Sequence, residues 1–189
     1  MEEIFDKAWD LYDEENYKEA YPLFYALAEQ GHCNSKHQVA DMLFLGEGVE
    51  KDDITAYKWY QEAADGGSAK ALHIISTCYI HSTEGYPQDY VKAVEYLQKA
   101  SHYNYVPAKH DLAIMYFNGN GVLEDKKKTE ELLKENCEVD YEDSILLLAQ
   151  YYKSGTYGFI NRFKAFKYVM QLGRVTNYKD PKSFSSSST

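Results

Sequence analysis

The feature that most constrains this chain is that it repeats itself at a fixed period. Four times a small residue is followed four positions on by an apolar residue, and four further on by another. The sets are Ser35/Val39/Leu43, Ala71/Ile75/Tyr79, Ala108/Leu112/Tyr116 and Ser144/Leu148/Tyr152. Their starts lie 36, 37 and 36 residues apart. About 21 residues after each start comes a second pattern: Ala56-x-x-Trp59-Tyr60, Ala93-x-x-Tyr96-Leu97, Thr129-x-x-Leu132-Leu133 and Ala165-x-x-Tyr168-Val169. A period of this length marks a helical solenoid, in which no single repeat can bury its apolar face alone. Function in such a protein resides in a surface rather than in a deep pocket.

Within each repeat the local signals agree. The i, i+4, i+8 spacing places the first set on one helix face. Gly46-Glu47-Gly48-Val49 and Gly119-Asn120-Gly121-Val122 follow, and glycine there can take positive φ and end the helix. Asp53, Asp89, Asp125 or Asn161 is then placed to cap a second helix. Turns are expected near 46–52, 82–88, 118–124 and 154–160. Five residues after each start sits Ala40, Ser76, Ala113 or Ala149, so a small side chain recurs where the partner helix approaches. A Phe there would overpack the site.

The frame A-x-x-x-L-[small]-x-x-Y, then G-x-G-V, an acid, and K-A-x-x-W-Y-x-x-A-A resembles the Sel1-like repeat, a relative of the tetratricopeptide repeat. Ser35–Gly67 is the cleanest copy. Val106–Asn136 matches in its first half, Ala69–Ala100 has lost the G-x-G turn, and Ser144–Leu172 keeps only Gly155 and Gly158 at altered spacing. The first 33 residues, with Ala8, Leu11, Tyr17, Ala20, Phe24 and Leu27, look more like a tetratricopeptide hairpin. The resemblance implies an all-α fold, a right-handed α-solenoid of five helix-turn-helix repeats, one TPR-like followed by four Sel1-like. Repeats of about 1–33, 34–67, 68–105, 106–140 and 141–175 would be followed by a disordered Ser-rich tail, 176–189.

Composition fits a folded chain. Four prolines and 15% aromatic residues argue against disorder. No run of about 18 apolar residues is present to cross a membrane, and the start, Met1-Glu2-Glu3-Ile4-Phe5-Asp6, lacks the basic and apolar stretches of a secretory signal. A cytoplasmic location is the expectation. Cys33, Cys78 and Cys137 are odd in number, without the paired cysteines that secreted members of the similar family carry in each repeat. They read as small hydrophobes, none having a basic context to activate it.

The net charge of −10 is unevenly spread. Residues 1–33 carry nine acids against Lys7 and Lys18, a net of −7, whereas residues 141–189 carry a net of +4. The acidic end is either a solvated face or a docking end for a basic partner steered by its field, with Asp10, Asp13 and Glu14 as the steering groups. Nucleic acid is excluded as a partner, because no clustered basic stripe is present to meet phosphates. There is no G-x-x-x-x-G-K-[ST], H-E-x-x-H, C-x-x-C or G-x-S-x-G. Gly46-x-Gly48 and Gly119-x-Gly121 follow helices and recur with the repeat, so they read as turns and not as nucleotide loops. No catalytic residue and no cofactor is expected.

His37, His73 and His110 occupy the same place in three successive repeats. Equivalent positions on adjacent repeats are separated on the order of 10 Å, whereas zinc takes nitrogen ligands at roughly 2.0 Å, so these histidines are not expected to share a metal. They form either a polar ladder facing a partner or inter-repeat packing. His32, His81 and His102, near helix ends, read as caps or exposed groups.

In the tetratricopeptide-like frame, the concave positions are Phe5/Trp9/Tyr12, His37/Asp41/Phe44, His73/Thr77/Ile80, His110/Ile114/Phe117 and Leu146/Gln150/Lys153. An aromatic surface with a few polar groups resembles an interface core; the alternative is that these rings pack on neighbouring helices. The resemblance implies a non-enzymatic protein-binding role in the groove, the acidic end adds the expectation that the protein partner is basic, and a monomeric chain is expected. The short, acidic array suggests a dedicated immunity protein that masks a toxin, while the resemblance also allows a general adaptor or a weak β-lactamase-like hydrolase of the kind proposed for some relatives.

Overall fold

The structure, a computed structural model, describes residues 2–83, 85–153 and 159–175. Among these there is no strand, and ten helices follow one another in pairs. They are α1 (Glu2–Asp13) and α2 (Tyr17–Glu29), α3 (Cys33–Leu45) and α4 (Asp53–Asp65), α5 (Ala69–His81) and α6 (Tyr90–His102), α7 (Val106–Asn118) and α8 (Lys126–Glu138), α9 (Glu142–Lys153) and α10 (Phe159–Val175). The fold is the all-α array of helix pairs that the period requires. The described residues form two compact units, divided between 108 and 109.

The expected turns fall between α3 and α4, α5 and α6, and α7 and α8. The fourth, 154–160, lies mostly outside the described residues, although 159 and 160 are already helical, and so does the Ser-rich tail. Asp89 and Asp125 cap α6 and α8 through bonds from the amides of Lys92 (3.0 Å) and Lys128 (2.9 Å). Two capping assignments are corrected. Asp52, not Asp53, caps α4, because Thr55 three residues on offers it both an amide (3.0 Å) and a hydroxyl (2.6 Å). Asn161 lies inside α10, which begins two residues earlier. His32 caps α3, its ring nitrogen accepting from the Ser35 amide at 3.3 Å, while His81 and His102 are exposed.

Small residues recur through the core beside larger buried side chains such as Phe24, Ile75, Leu97 and Leu148. The repeat starts Ser35, Ala71, Ala108 and Ser144 and the second-helix residues Ala56, Ala93 and Thr129 are all buried. The register positions Ala40, Ser76, Ala113 and Ala149 are buried with them, which is what close helix approach demands. At Ala113 the carbonyl also accepts from the Thr129 hydroxyl at 3.3 Å.

The G-x-G turn has a second purpose besides ending a helix. Gly46 closes α3 at φ +77. Gly48, at φ +71, lies so near the start of α2 that a Cβ there would come within 2.2 Å of the Tyr17 carbonyl oxygen. The second repeat thus rests on the first through bare backbone. Where the third repeat lacks this turn, Ser82 itself takes the left-handed conformation at φ +57, a strain of roughly 1–2 kcal/mol for a residue with a Cβ.

Candidate partner-binding surface

The first compact unit brings several of the expected surface residues together. Phe44, His73 and Thr77 line one cleft of ≈ 380 Å³, shared with Tyr57, Tyr60 and Ile74. Thr77 is fixed by its hydroxyl bond to the His73 carbonyl (3.0 Å). Phe44 packs beside Tyr57, ring centroids 6.1 Å apart and tilted, and the Lys51 ammonium lies 5.1 Å from the Phe44 ring centre. His73 is half-buried beside Tyr105. Ile80 is half-buried on the same helix, its carbonyl accepting from Gln88.

Asp41 sits where three helices meet. Its carboxylate accepts from the Tyr60 hydroxyl on α4 and from Lys70 on α5, and the His37 ring on its own helix lies 3.3 Å away. The Tyr60 phenol is held far above its ordinary range, first by burial and then by the Asp41 charge. His37 is 8% exposed, edge-on to Tyr60, and neither ring nitrogen has a hydrogen-bond partner. Burial holds its pKa below the ordinary histidine value, against the pull of Asp41. His37 therefore packs inside the repeat and offers a partner little surface.

The N-terminal rings also turn largely inward. Phe5, Trp9 and Tyr12 are half-buried and all pack edge-wise on Phe24 of α2, at 6.1, 5.4 and 6.4 Å. Tyr12 donates to Glu47 at 2.8 Å, and burial with that charge pushes its phenol up to about 12. For these three rings packing accounts for much of what the sequence leaves open. Asp10, Asp13 and Glu14 are exposed on the same hairpin.

In the second compact unit, His110 bonds Ser144 through Nδ1 at 2.9 Å and lies edge-on to Tyr141, so it joins successive helix pairs. Ile114 is half-buried; Phe117 is 43% exposed and touches Tyr151; Gln150 and Lys153 are exposed. The histidine ladder therefore has three different environments. Among the described residues no group of three His, Cys, Asp or Glu side chains is placed to hold a metal ion.

Sequence reasoning misses Tyr57, Tyr60 and Ile74 as cleft walls. Tyr60 stands in the second-helix pattern, which by itself indicates core alone, Tyr57 falls on one of that pattern's unassigned positions, and Ile74 lies between two positions assigned to the groove. The thiols behave as packing groups: Cys33 donates to the Ala63 carbonyl at 3.3 Å, Cys78 and Cys137 are buried, and burial pushes the Cys137 thiol up to about 12. No helix among the described residues is long and apolar enough to cross a membrane.

The model of the Sel1 repeat matches residues 34–68, 69–102, 106–135 and 143–169. The chain belongs to the Sel1 repeat family. It is 29% identical over 177 residues to chitin synthase regulatory factor 2 of Schizosaccharomyces pombe, an alignment covering 88% of this chain and 34% of that one. It is 30% identical over 132 residues to an exopolysaccharide production negative regulator of Rhizobium leguminosarum bv. viciae, covering 63% of this chain and 49% of that one. The chain thus spans from about a third to half the length of these relatives. In structure it matches a Sel1 repeat protein from Oxalobacter formigenes with a TM-score of 0.78 at 23% identity, over 88% of this chain and 69% of that one, a likeness of fold.

Proposed function

We propose that this chain is a non-enzymatic binding protein whose cleft between Phe44 and Thr77 holds a segment of a partner protein, with the exposed acids of α1 and its turn drawing in a partner that carries a basic patch. One observation carries the reading: Phe44, His73 and Thr77, assigned to a partner-facing surface by their place in the repeat, converge on one cleft walled by aromatic and aliphatic side chains. Such a lining, with a few polar groups to fix orientation, is what peptide and side-chain anchors use. Two relatives named as regulators, one of chitin synthase and one of exopolysaccharide production, support a regulatory role.

The finer form of the reading is a dedicated cytoplasmic protein that masks one partner, as an immunity protein masks a toxin. Purification from the native cell under mild salt tests it. One protein recovered at a stoichiometric ratio supports masking, and several at low ratios support a general adaptor. A purified chain that turns over a β-lactam would replace both with the hydrolase reading.

A further inference from the structure

Within each compact unit the first helix of a repeat has a face that meets the helix pair before it, as α3 meets α2, α5 meets α4 and α9 meets α8. In the second compact unit this face is seen at Ser144, which accepts from Asn136 of α8 and pairs with His110 of α7, and at Tyr151, which reaches the Lys126 carbonyl and Phe117. The matching positions in α3, Ser35 and Met42, are fully buried, and Gln38 between them is buried as well. Aligned on the small residues Ala8 and Ala40, the same face of α1 carries Glu3, Asp6 and Asp10, all exposed.

The last helix shows the reverse. In α8, Glu130 and Asn136 receive the following pair through Tyr152 and Ser144. Aligned on Thr129 and Ala165, their counterparts in α10 are Phe166 and Leu172, and Phe166 is 48% exposed, as is Met170 at 49%. Phe166, Met170 and Val175 line a depression of ≈ 860 Å³ together with Lys167, Arg174 and Asp140. By sequence α1 carries five acids (Glu2, Glu3, Asp6, Asp10, Asp13) against Lys7, a net of −4, whereas α10 carries Arg162, Lys164, Lys167 and Arg174 and no acid, a net of +4.

We infer that the face of α10 receives α1 of a second copy of this chain, head to tail. The exposed Ile4 of α1 meets the apolar strip on α10, and the acids meet Lys167 and Arg174. The net charges of the two helices are opposite and equal, and the register is the one α9 uses against α8. Such a contact is heterologous: each copy offers one donor face and one acceptor face, so association continues until it closes. It engages a different face from the cleft and operates with no partner protein present.

The test is the mass of the purified 189-residue chain by sedimentation velocity from low micromolar to submillimolar concentration, at low and high salt. The mass should rise with concentration and fall back at high salt, because exposed ion pairs are screened. A head variant, Glu3→Lys with Asp6→Lys, and a tail variant, Lys167→Gln with Arg174→Gln, should each be monomeric alone. Mixed in equal amounts, the intact tail of the first takes the intact head of the second. The mixture then forms a one-to-one dimer and nothing larger, since the altered head has no net charge left to attract the two cations, Arg162 and Lys164, that the altered tail keeps. Circular dichroism and melting establish that both variants are folded, and Met170→Ser provides an uncharged change that should weaken association at all salt concentrations. A wild-type chain that stays monomeric at low salt overturns the inference, as does association that survives either charge variant or a mixture that stays monomeric.

Discussion

The hydroxyl of Tyr60 donates to the carboxylate of Asp41 at 2.5 Å, and Lys70 reaches the second carboxylate oxygen at 3.1 Å. One acid on α3 thus ties down the second helix of its own repeat and the first helix of the next. Hydrogen bonds to a charged group contribute more than neutral ones, so Tyr60→Phe should lower stability by about 2 kcal/mol in denaturant unfolding. Asp41→Asn should lower it comparably. The double variant should cost less than the sum, the mark of direct contact.

Gly48 and Gly31 both have positive φ, yet they should respond differently to a methyl group. At Gly31 nothing lies within 4 Å of an added Cβ, so Gly31→Ala should cost only conformational strain, about 1 kcal/mol. At Gly48 the Tyr17 backbone stands in the way, and backbone cannot step aside as a side chain tip can. Gly48→Ala should destabilise by about 2 kcal/mol or more. Equal melting temperatures for the two variants would show that the first two repeats do not rest on each other there.

The fold was legible because it is written four times. Small residues at 35, 40 and 56 and their counterparts recur in register, and each is buried; a periodic signal of this kind survives the loss of a motif in any one copy, as at Ser82 in place of glycine. The surface was legible only in part. Phe44, His73 and Thr77 reach a common cleft, but the same register in α1 puts Phe5, Trp9 and Tyr12 onto Phe24. Helical spacing states which face a residue occupies and not how far the next helix overlaps it. His37, His73 and His110 make the point within one column: Tyr60 and Asp41 enclose the first, Tyr105 flanks the second, and Ser144 bonds the third. Tyr60, Tyr105 and Ser144 stand 23, 32 and 34 residues from the histidines they meet, a separation no local pattern encodes.

His37 should make stability depend on pH in the mildly acidic range. Its folded pKa lies below the unfolded value of 6.5, because burial penalises the charged ring and Lys70 adds to the penalty, while Asp41 opposes both. As pH falls through 6.5 the unfolded chain takes up a proton that the folded chain refuses. Stability therefore declines until the lower folded pKa is reached, and is unaffected by this group above neutrality. His37→Phe keeps a ring against Tyr60 and removes the titration. Its melting temperature should fall less steeply than wild type between about pH 7 and 5, in the window below the ordinary histidine pKa. Parallel pH profiles would show that His37 is not the group responsible.

In the proposed mode of binding the cleft retains the partner and the acidic end captures it, and the rate constants of the co-purified partner separate the two roles. Phe44→Ala removes an anchor ring and should speed dissociation about 30-fold, some 2 kcal/mol, with association little changed. Neutral amides at Asp10, Asp13 and Glu14 should slow association and flatten its salt dependence while leaving dissociation alone. Because the two sets act on different steps, their effects should add. Wild-type rates in a folded Phe44→Ala variant would contradict the account and place the binding surface away from this cleft.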